Sequence, residues 1–285
     1  MRRLAILGPL VAVAAGCAHL AAPAPTDPVA PGPPRGGGAR PRTLACEMFL
    51  LRAAEGDDLR GDGLWQFVDE QVFPEPLRRR LASHGLRAGV VSDPPPECLA
   101  GRLAPATTEP APPADPSRVH SVLRLLPGQE SELVAVAGPR RLVILEHDDD
   151  GIGGGTYEDA SAVVTLVAHP GADGRTRLVL TPTVKHGAIE RSWEGTDGAF
   201  RLATGQRRRG FDGLRMEIEL ADHEALVVAG AGAPAATVGD AFFRDESGAT
   251  AVHRLLVIRP LARALDPRFA AAGTGSGDLE SLRRR

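Results

Sequence analysis

Residues 215–220 read RMEIEL, a stretch in which the apolar Met216, Ile218 and Leu220 alternate with Arg and Glu. A period of two is typical of a β-strand that buries one face and keeps the other in water. Further short apolar or alternating runs fill residues 118–260, among them 132–137, 141–146, 175–184 and 200–203, and Gly and Pro turn signals such as Gly138-Pro139 separate them. They predict a mainly antiparallel β-sandwich or open barrel over this range.

Residues 43–92 show a different pattern. Apolar β-formers at 44–53 and 86–91 predict two strands, and the segment between them has helical spacing, with Leu77 and Leu81 four residues apart. Trp65 lies in that segment and fits a core anchor better than a ligand-stacking platform. The fold class is therefore α+β, with a small strand–helix–strand module followed by a β domain.

Proline marks two predicted tethers, residues 18–42 and 93–117, which hold 15 of the 25 prolines. Because proline lacks a backbone N–H and fixes φ, we expect neither helix nor sheet in them. Residues 261–285 are predicted to form a flexible tail.

The first 17 residues have the features of an export signal. A positive start precedes the apolar run Leu4–Ala15, and Ala15-Gly16-Cys17 resembles a bacterial lipobox. The resemblance implies that Cys17 carries a covalent lipid that anchors the chain to a membrane, and Ala18 after it favours the outer membrane. The alternative is an ordinary signal cut after Ala14, which leaves Cys17 unmodified.

The C-terminal part of the β domain resembles a known family. The segments that carry the resemblance are 178–184 (LVLTPTV), 221–230 (ADHEALVVAG), 238–243 (VGDAFF) and 254–260 (RLLVIRP). They look like the C-terminal β domain of bacterial secretins, and the module at 43–92 is similar to the small α+β domains of secretins. Because 118–260 is short for a pore-forming secretin domain, the resemblance implies a relative that does not form a pore.

Two cysteines remain besides Cys17. Cys46 and Cys98 could form a disulfide that staples the small module, since an exported compartment permits oxidation. Such a bridge would stabilise the protein by roughly 4 kcal/mol. The alternative is two unrelated thiols.

One acidic stretch has the spacing of a cation site. Glu146, Asp148 and Asp150 match the first, third and fifth positions of a calcium loop, but Tyr157 stands where the loop needs a bidentate carboxylate. The alternative is a polar hairpin turn between two strands.

Composition and motifs exclude several classes of function. The net charge is −3 and aromatic residues make up 4% of the chain, which argues against a nucleic-acid partner. The sequence holds no spacing typical of a catalytic triad or zinc site, so we expect no enzyme, no small-molecule substrate and no cofactor beyond the lipid on Cys17.

The sequence therefore predicts a lipid-anchored protein of the bacterial cell envelope with a structural or protein-interaction role and an unidentified envelope protein as partner. One alternative is a secretin-related subunit of a multimeric export channel. Another is an envelope hydrolase or a metal-binding protein.

Overall fold

A computed structural model describes residues 42–103, 118–148, 151–196, 199–232, 235–245, 251–261 and 264–265. All of them belong to one compact unit, Arg40–Arg285. Cys17 and almost all of the predicted tether 18–42 lie outside the described residues. None of the described helices is long and apolar enough to cross a membrane.

The described chain is mostly antiparallel β-structure with a few short helices, which confirms the β-rich α+β class. The strands are β1 (Arg42–Ala53), β2 (Leu86–Ser92), β3 (Arg118–Leu125), β4 (Glu130–Asp148), β5 (Gly151–Pro170), β6 (Thr176–Thr196), β7 (Ala199–Gly210), β8 (Met216–Leu220), β9 (Glu224–Gly230), β10 (Arg244–Asp245), β11 (Val252–Pro260) and β12 (Ala264–Leu265). The helices are α1 (Asp62–Trp65), α2 (Glu75–Ser83), α3 (Glu97–Leu103) and α4 (Val238–Phe243), with 3₁₀ turns at Glu70–Val72, Ala172–Gly174 and Asp212–Leu214.

The first sheet joins the two ends of the described chain. Its order is β12–β1–β11–β9–β2, with β3 also on β1 and β10 on β11. β1 pairs with β11 over eight residues, from Cys46 opposite Pro260 to Ala53 opposite His253. Strands from 43–92 and strands from 118–260 therefore lie in one and the same sheet.

Burial on both faces explains why β1 lies inside the sheet. Cys46 and Leu50 face one apolar cluster, whereas Phe49 and Leu51 face another on the opposite side. A strand that is apolar on both faces needs neighbours on both edges and a packed layer above and below. The first cluster lies between the two sheets, and the second lies under α1 and α3.

The predicted tether 93–117 contains a helix, so the expectation of no regular structure there was wrong. α3 buries Leu99 and Leu103 in the second cluster. The prolines stand before the helix, and the Pro96 carbonyl accepts from the N–H groups of Leu99 and Ala100, each at 2.8 Å. Proline at a helix start costs no hydrogen bond, because the first N–H groups have no partner within the helix. Residues 104–117 lie outside the described residues.

The second sheet has the order β4–β5–β6–β7, with β8 also on β6. Its strands are longer than the sequence runs predicted. The runs at 132–137 and 141–146 are one strand, β4, which keeps its pairing with β5 through bulges that include the segment between Val136 and Arg140. Pro139 lies in that segment, and a bulge is one of the places where a strand tolerates proline.

Several core predictions are confirmed. Leu77, Leu81 and Trp65 are buried. Trp65 packs in the second cluster, and the Arg87 guanidinium lies 4.2 Å from its ring centroid. Met216–Leu220 alternates between buried and exposed residues, as its period of two predicted.

Candidate interaction surface

The second sheet splits into two hairpins at one point. β5 pairs with β6 only where Ser161–Pro170 lies beside Thr176–Lys185. Beyond Ser161, β5 stays with β4 alone, and beyond Lys185, β6 stays with β7 alone. We call residues 188–196 and 199–205 the arm, since they are the described residues of the β6–β7 pair beyond the split.

Backbone conformation and one side chain build this split. Asp159 in β5 and Gly187 in β6 have φ values of +49° and +74°. This left-handed backbone conformation bends each strand at the point where β5 and β6 stop pairing. The β6–β7 register also shifts between His186 and Glu190. The Gln206 Nε2 donates to the carbonyl oxygens of Asp159 (2.9 Å) and Gly187 (2.8 Å). A single amide thus satisfies two carbonyls that the diverging strands leave unpaired, which holds the hairpins apart.

The β4–β5 hairpin is tied to the body of the protein. The Leu145 N–H donates to the Ala236 carbonyl (2.7 Å), and the His147 N–H donates to Nε2 of His84 (3.1 Å). Ile144, the residue before Leu145 in β4, is fully buried. This hairpin therefore has a fixed position against α4 and the end of α2.

The arm has no such support in the part of the chain that the structure describes. Its strands pair with each other from Glu190 opposite Gly205 to Thr196 opposite Ala199, and no described strand pairs with either outer edge. Ile189 is 73% exposed and Leu202 is 47% exposed. A two-stranded ribbon is marginally stable in water, and its free N–H and C=O groups are ready to pair with another strand.

A polar cluster stabilises the base of the arm. Glu146 and Arg209 form an ion pair with an Nη2–Oε2 distance of 2.9 Å, and the rings of Tyr157 and His186 meet edge to face at 5.0 Å. Burial lowers the pKa of Arg209, but the Glu146 carboxylate and the Tyr157 hydroxyl raise it more, so the net shift is upward. Arg209 is therefore a permanent cation that links β7 to β4.

A second link curls the sheet around a cleft of about 510 Å³ on its outer face. Arg208 of β7 bonds Glu130 of β4 (2.5 Å) and reaches the Thr165 hydroxyl (3.4 Å). That hydroxyl lies 3.0 Å from the hydroxyl of Thr183. In a flat sheet the backbones of β4 and β7 would be about 14 Å apart. The contact between their side chains therefore shows a strong curl.

The disulfide between Cys46 and Cys98 is not formed, and both thiols are free. Cys46 is fully buried and faces the cluster between the sheets, whereas Cys98 packs against the cluster on the opposite face of the first sheet. The sheet itself separates the two sulfurs. Burial raises the pKa of Cys46 to about 12, so this thiol is protonated and inert at neutral pH.

The acidic stretch proposed for calcium is a hairpin end. Asp148 pairs with Gly151, whose φ is +138°, and Glu146 is engaged by Arg209. Asp150 lies outside the described residues. Within the described ranges, no group of three His, Cys, Asp or Glu side chains is placed to hold a metal ion.

The arm is the feature that sequence reasoning missed. Residues 188–199 were assigned to no strand, although the pair Asp197-Gly198 between two strand-like segments is a strong signal for a two-residue hairpin turn.

Comparison of the chain with known proteins finds no significant match. No family model matches the chain, and neither a curated protein nor a solved structure is significantly similar to it.

Proposed function

We propose that this protein is a lipid-anchored component of the bacterial cell envelope that binds another envelope protein through the arm. The observation that carries the proposal is the arm itself: neither of its outer edges has a strand partner among the described residues, and the side chains of Ile189 and Leu202 are exposed. The lipid on Cys17 and the outer-membrane location complete the proposal and rest on the sequence alone.

The chemistry of the arm favours binding by strand addition. Main-chain hydrogen bonds to an open edge give affinity, and side chains on alternate positions give specificity. Fixed supports at the base, Gln206 and the Glu146–Arg209 ion pair, hold the arm in one direction before a partner arrives. A preorganised strand loses less conformational entropy on binding than a flexible loop does.

A second candidate is self-association, as in a secretin-related multimeric subunit. The inner edge of β5 over 151–159 also lacks a strand partner among the described residues. One copy thus offers an open edge and the next copy offers an arm, an arrangement that can continue around a ring. Three glycines, 153–155, lie in this edge and permit close backbone approach.

The test is site-specific photo-crosslinking in intact cells. A crosslinking residue at Leu202 should capture a partner protein, whereas the same residue at Val143, which is equally exposed at 46% against 47% but lies on the tied hairpin, should not. Leu202→Asp should abolish the complex, and Val143→Asp should leave it intact. No adduct at Leu202, or equal adducts with another envelope protein at both positions, would contradict the proposal.

The identity of the adduct separates the two candidates. An adduct with a second copy of this chain, together with a multimer after gentle solubilisation, favours the multimeric subunit. The anchor is tested separately by palmitate labelling, which Cys17→Ser should abolish.

A further inference from the structure

A groove beside β2 shares no lining residue with the arm. Strand β2 pairs with β9 on one side only. The Asp93 N–H and the Gly85 carbonyl both bond in the direction of β9, at 2.9 and 2.7 Å, at the two ends of this pairing. Because backbone groups alternate sides along an antiparallel strand, the odd-numbered residues between them also bond toward β9.

The even-numbered residues of β2 therefore direct their N–H and C=O groups outward. At Val90 both groups are used, since its N–H donates to the Asp69 carbonyl (3.0 Å) and its carbonyl accepts from the Asp69 N–H (2.8 Å). For Leu86 and Ala88, no hydrogen-bond partner on this outer side is present in the described parts of the chain. The open edge thus extends from the turn at Gly85 to the cap at Asp69.

A groove of about 380 Å³ follows this open edge, between β2 and α2. Its apolar lining comes from Leu81 and Ala82 of α2 and from Leu86 and Ala88 of β2. The combination of an open strand edge and an apolar wall is the arrangement that an extended peptide needs for strand addition.

Among the charged side chains that line the groove, one arginine has no described carboxylate partner. Glu70 pairs with Arg87 at 2.8 Å, and Glu75 pairs with Arg79 at 3.5 Å. Arg78 also lines the groove, and its buried Nε has no hydrogen-bond partner among the described residues. No described carboxylate pairs with the Arg78 guanidinium, so a carboxylate in the groove could form a charge-assisted hydrogen bond with the part of the guanidinium that lines it.

We propose that this groove binds a short extended peptide that carries a carboxylate. The peptide would add to the edge of β2 through the N–H and C=O groups of Leu86 and Ala88, with its carboxylate on Arg78. The cap at Asp69 and the turn at Gly85 limit the added strand to about three or four residues, since pairing repeats every two residues.

Binding is measured with capped, fluorescein-labelled tetrapeptides by fluorescence anisotropy. One peptide alternates valine with glutamate, a second alternates valine with lysine, and a third is the glutamate peptide with one hydrogen-bonding backbone amide N-methylated. The glutamate peptide should bind about tenfold more tightly than the lysine peptide, as one charge-assisted hydrogen bond implies. The N-methylated peptide should lose most of its affinity, and amide NMR shifts should concentrate at Leu86 and Ala88.

Arg78→Gln should remove the preference for glutamate, whereas Arg80→Gln, a matched change on the same helix outside the groove, should keep it. No saturable binding of the glutamate peptide, equal affinity for both charges, or equal binding after N-methylation would overturn the proposal. Self-association of the protein that Arg78→Gln abolishes would identify a second copy as the occupant and overturn it as well. Leu202→Asp should leave peptide binding unchanged, so failure here is separable from failure of the arm proposal.

Discussion

Gly239 is the position where one added methyl group should do the most damage. It is the second residue of α4, and its N–H donates to the His84 carbonyl (2.9 Å). A Cβ built on Gly239 would lie 1.7 Å from the Gly85 carbonyl oxygen, whereas real Cβ atoms essentially never approach closer than 3.0 Å. Because the obstacle is backbone, Gly239→Ala must move α4 away from the start of β2.

The cost follows from what α4 holds in place. The shift strains the bond to His84 and the neighbouring bond from Leu145 to Ala236, each worth about 0.5–1.5 kcal/mol. It also loosens the packing of Phe242 and Phe243, which are fully buried, and such misfit in a core costs about 1–3 kcal/mol. We expect a loss of about 2–6 kcal/mol in the free energy of unfolding, a large part of what a domain has.

The assay is urea unfolding followed by circular dichroism, with Gly101→Ala as the matched control. Gly101 lies inside α3, and a Cβ there meets nothing within 4 Å. Gly101→Ala should therefore stabilise the protein by about 0.5–1 kcal/mol, because alanine has a higher helix propensity than glycine. A loss below about 1 kcal/mol for Gly239→Ala would refute the close contact between α4 and β2.

Two further predictions concern titratable groups. In a Cys17→Ser background, a thiol reagent should modify Cys98 in the native protein and should modify Cys46 only after unfolding. The reason is that Cys46 is buried and its thiol has a pKa of about 12. Fewer than two reactive thiols in denaturant without reductant would show a disulfide instead. Burial, with the charges of Arg60 and Arg244, lowers the pKa of His253 from its ordinary 6.5. The unfolded chain therefore binds this proton more readily, so the stabilising contribution is full above pH 6.5 and is lost as the pH falls towards the folded pKa. The melting temperature should fall between a pH above 6.5 and a pH below it, and this fall should be smaller in His253→Gln than in the wild type. An equal fall in both proteins would exclude His253 as the cause.

Local patterns predicted the building blocks well. The alternation at Met216–Leu220 predicted a half-buried strand, and the spacing of Leu77 and Leu81 predicted the buried face of a helix. Trp65 was expected in the core and lies there. These predictions succeed because the period of burial within one element depends only on how the backbone directs successive side chains.

The same patterns failed where distant segments interact. Pro139 was expected to end a strand, but pairing with β5 continues β4 past it. The prolines before α3 were expected to exclude a helix, but burial of Leu99 stabilises one. In both cases tertiary contacts outweigh a local preference of the chain.

The candidate binding features depend most on the complete fold. The arm exists because β6 leaves β5 at Gly187, and the groove exists because Asp69 caps β2 at Val90 and not further along. No short stretch of sequence predicts where β6 separates from β5 or where Asp69 pairs with β2. Both depend on which strand edges remain without a neighbour after the other strands have paired.

The sequence by itself determined the alternating strand at Met216–Leu220, the strands near 44–53 and 86–91 and the helix that buries Leu77 and Leu81. Only the tertiary structure decided that β1 pairs with β11, that Cys46 and Cys98 lie on opposite faces of one sheet, and that the arm has no neighbouring strand among the described residues. The physical reason is that side-chain alternation is a property of a few consecutive residues. Strand neighbours and register, in contrast, depend on the hydrogen bonds and apolar burial of the whole assembled chain.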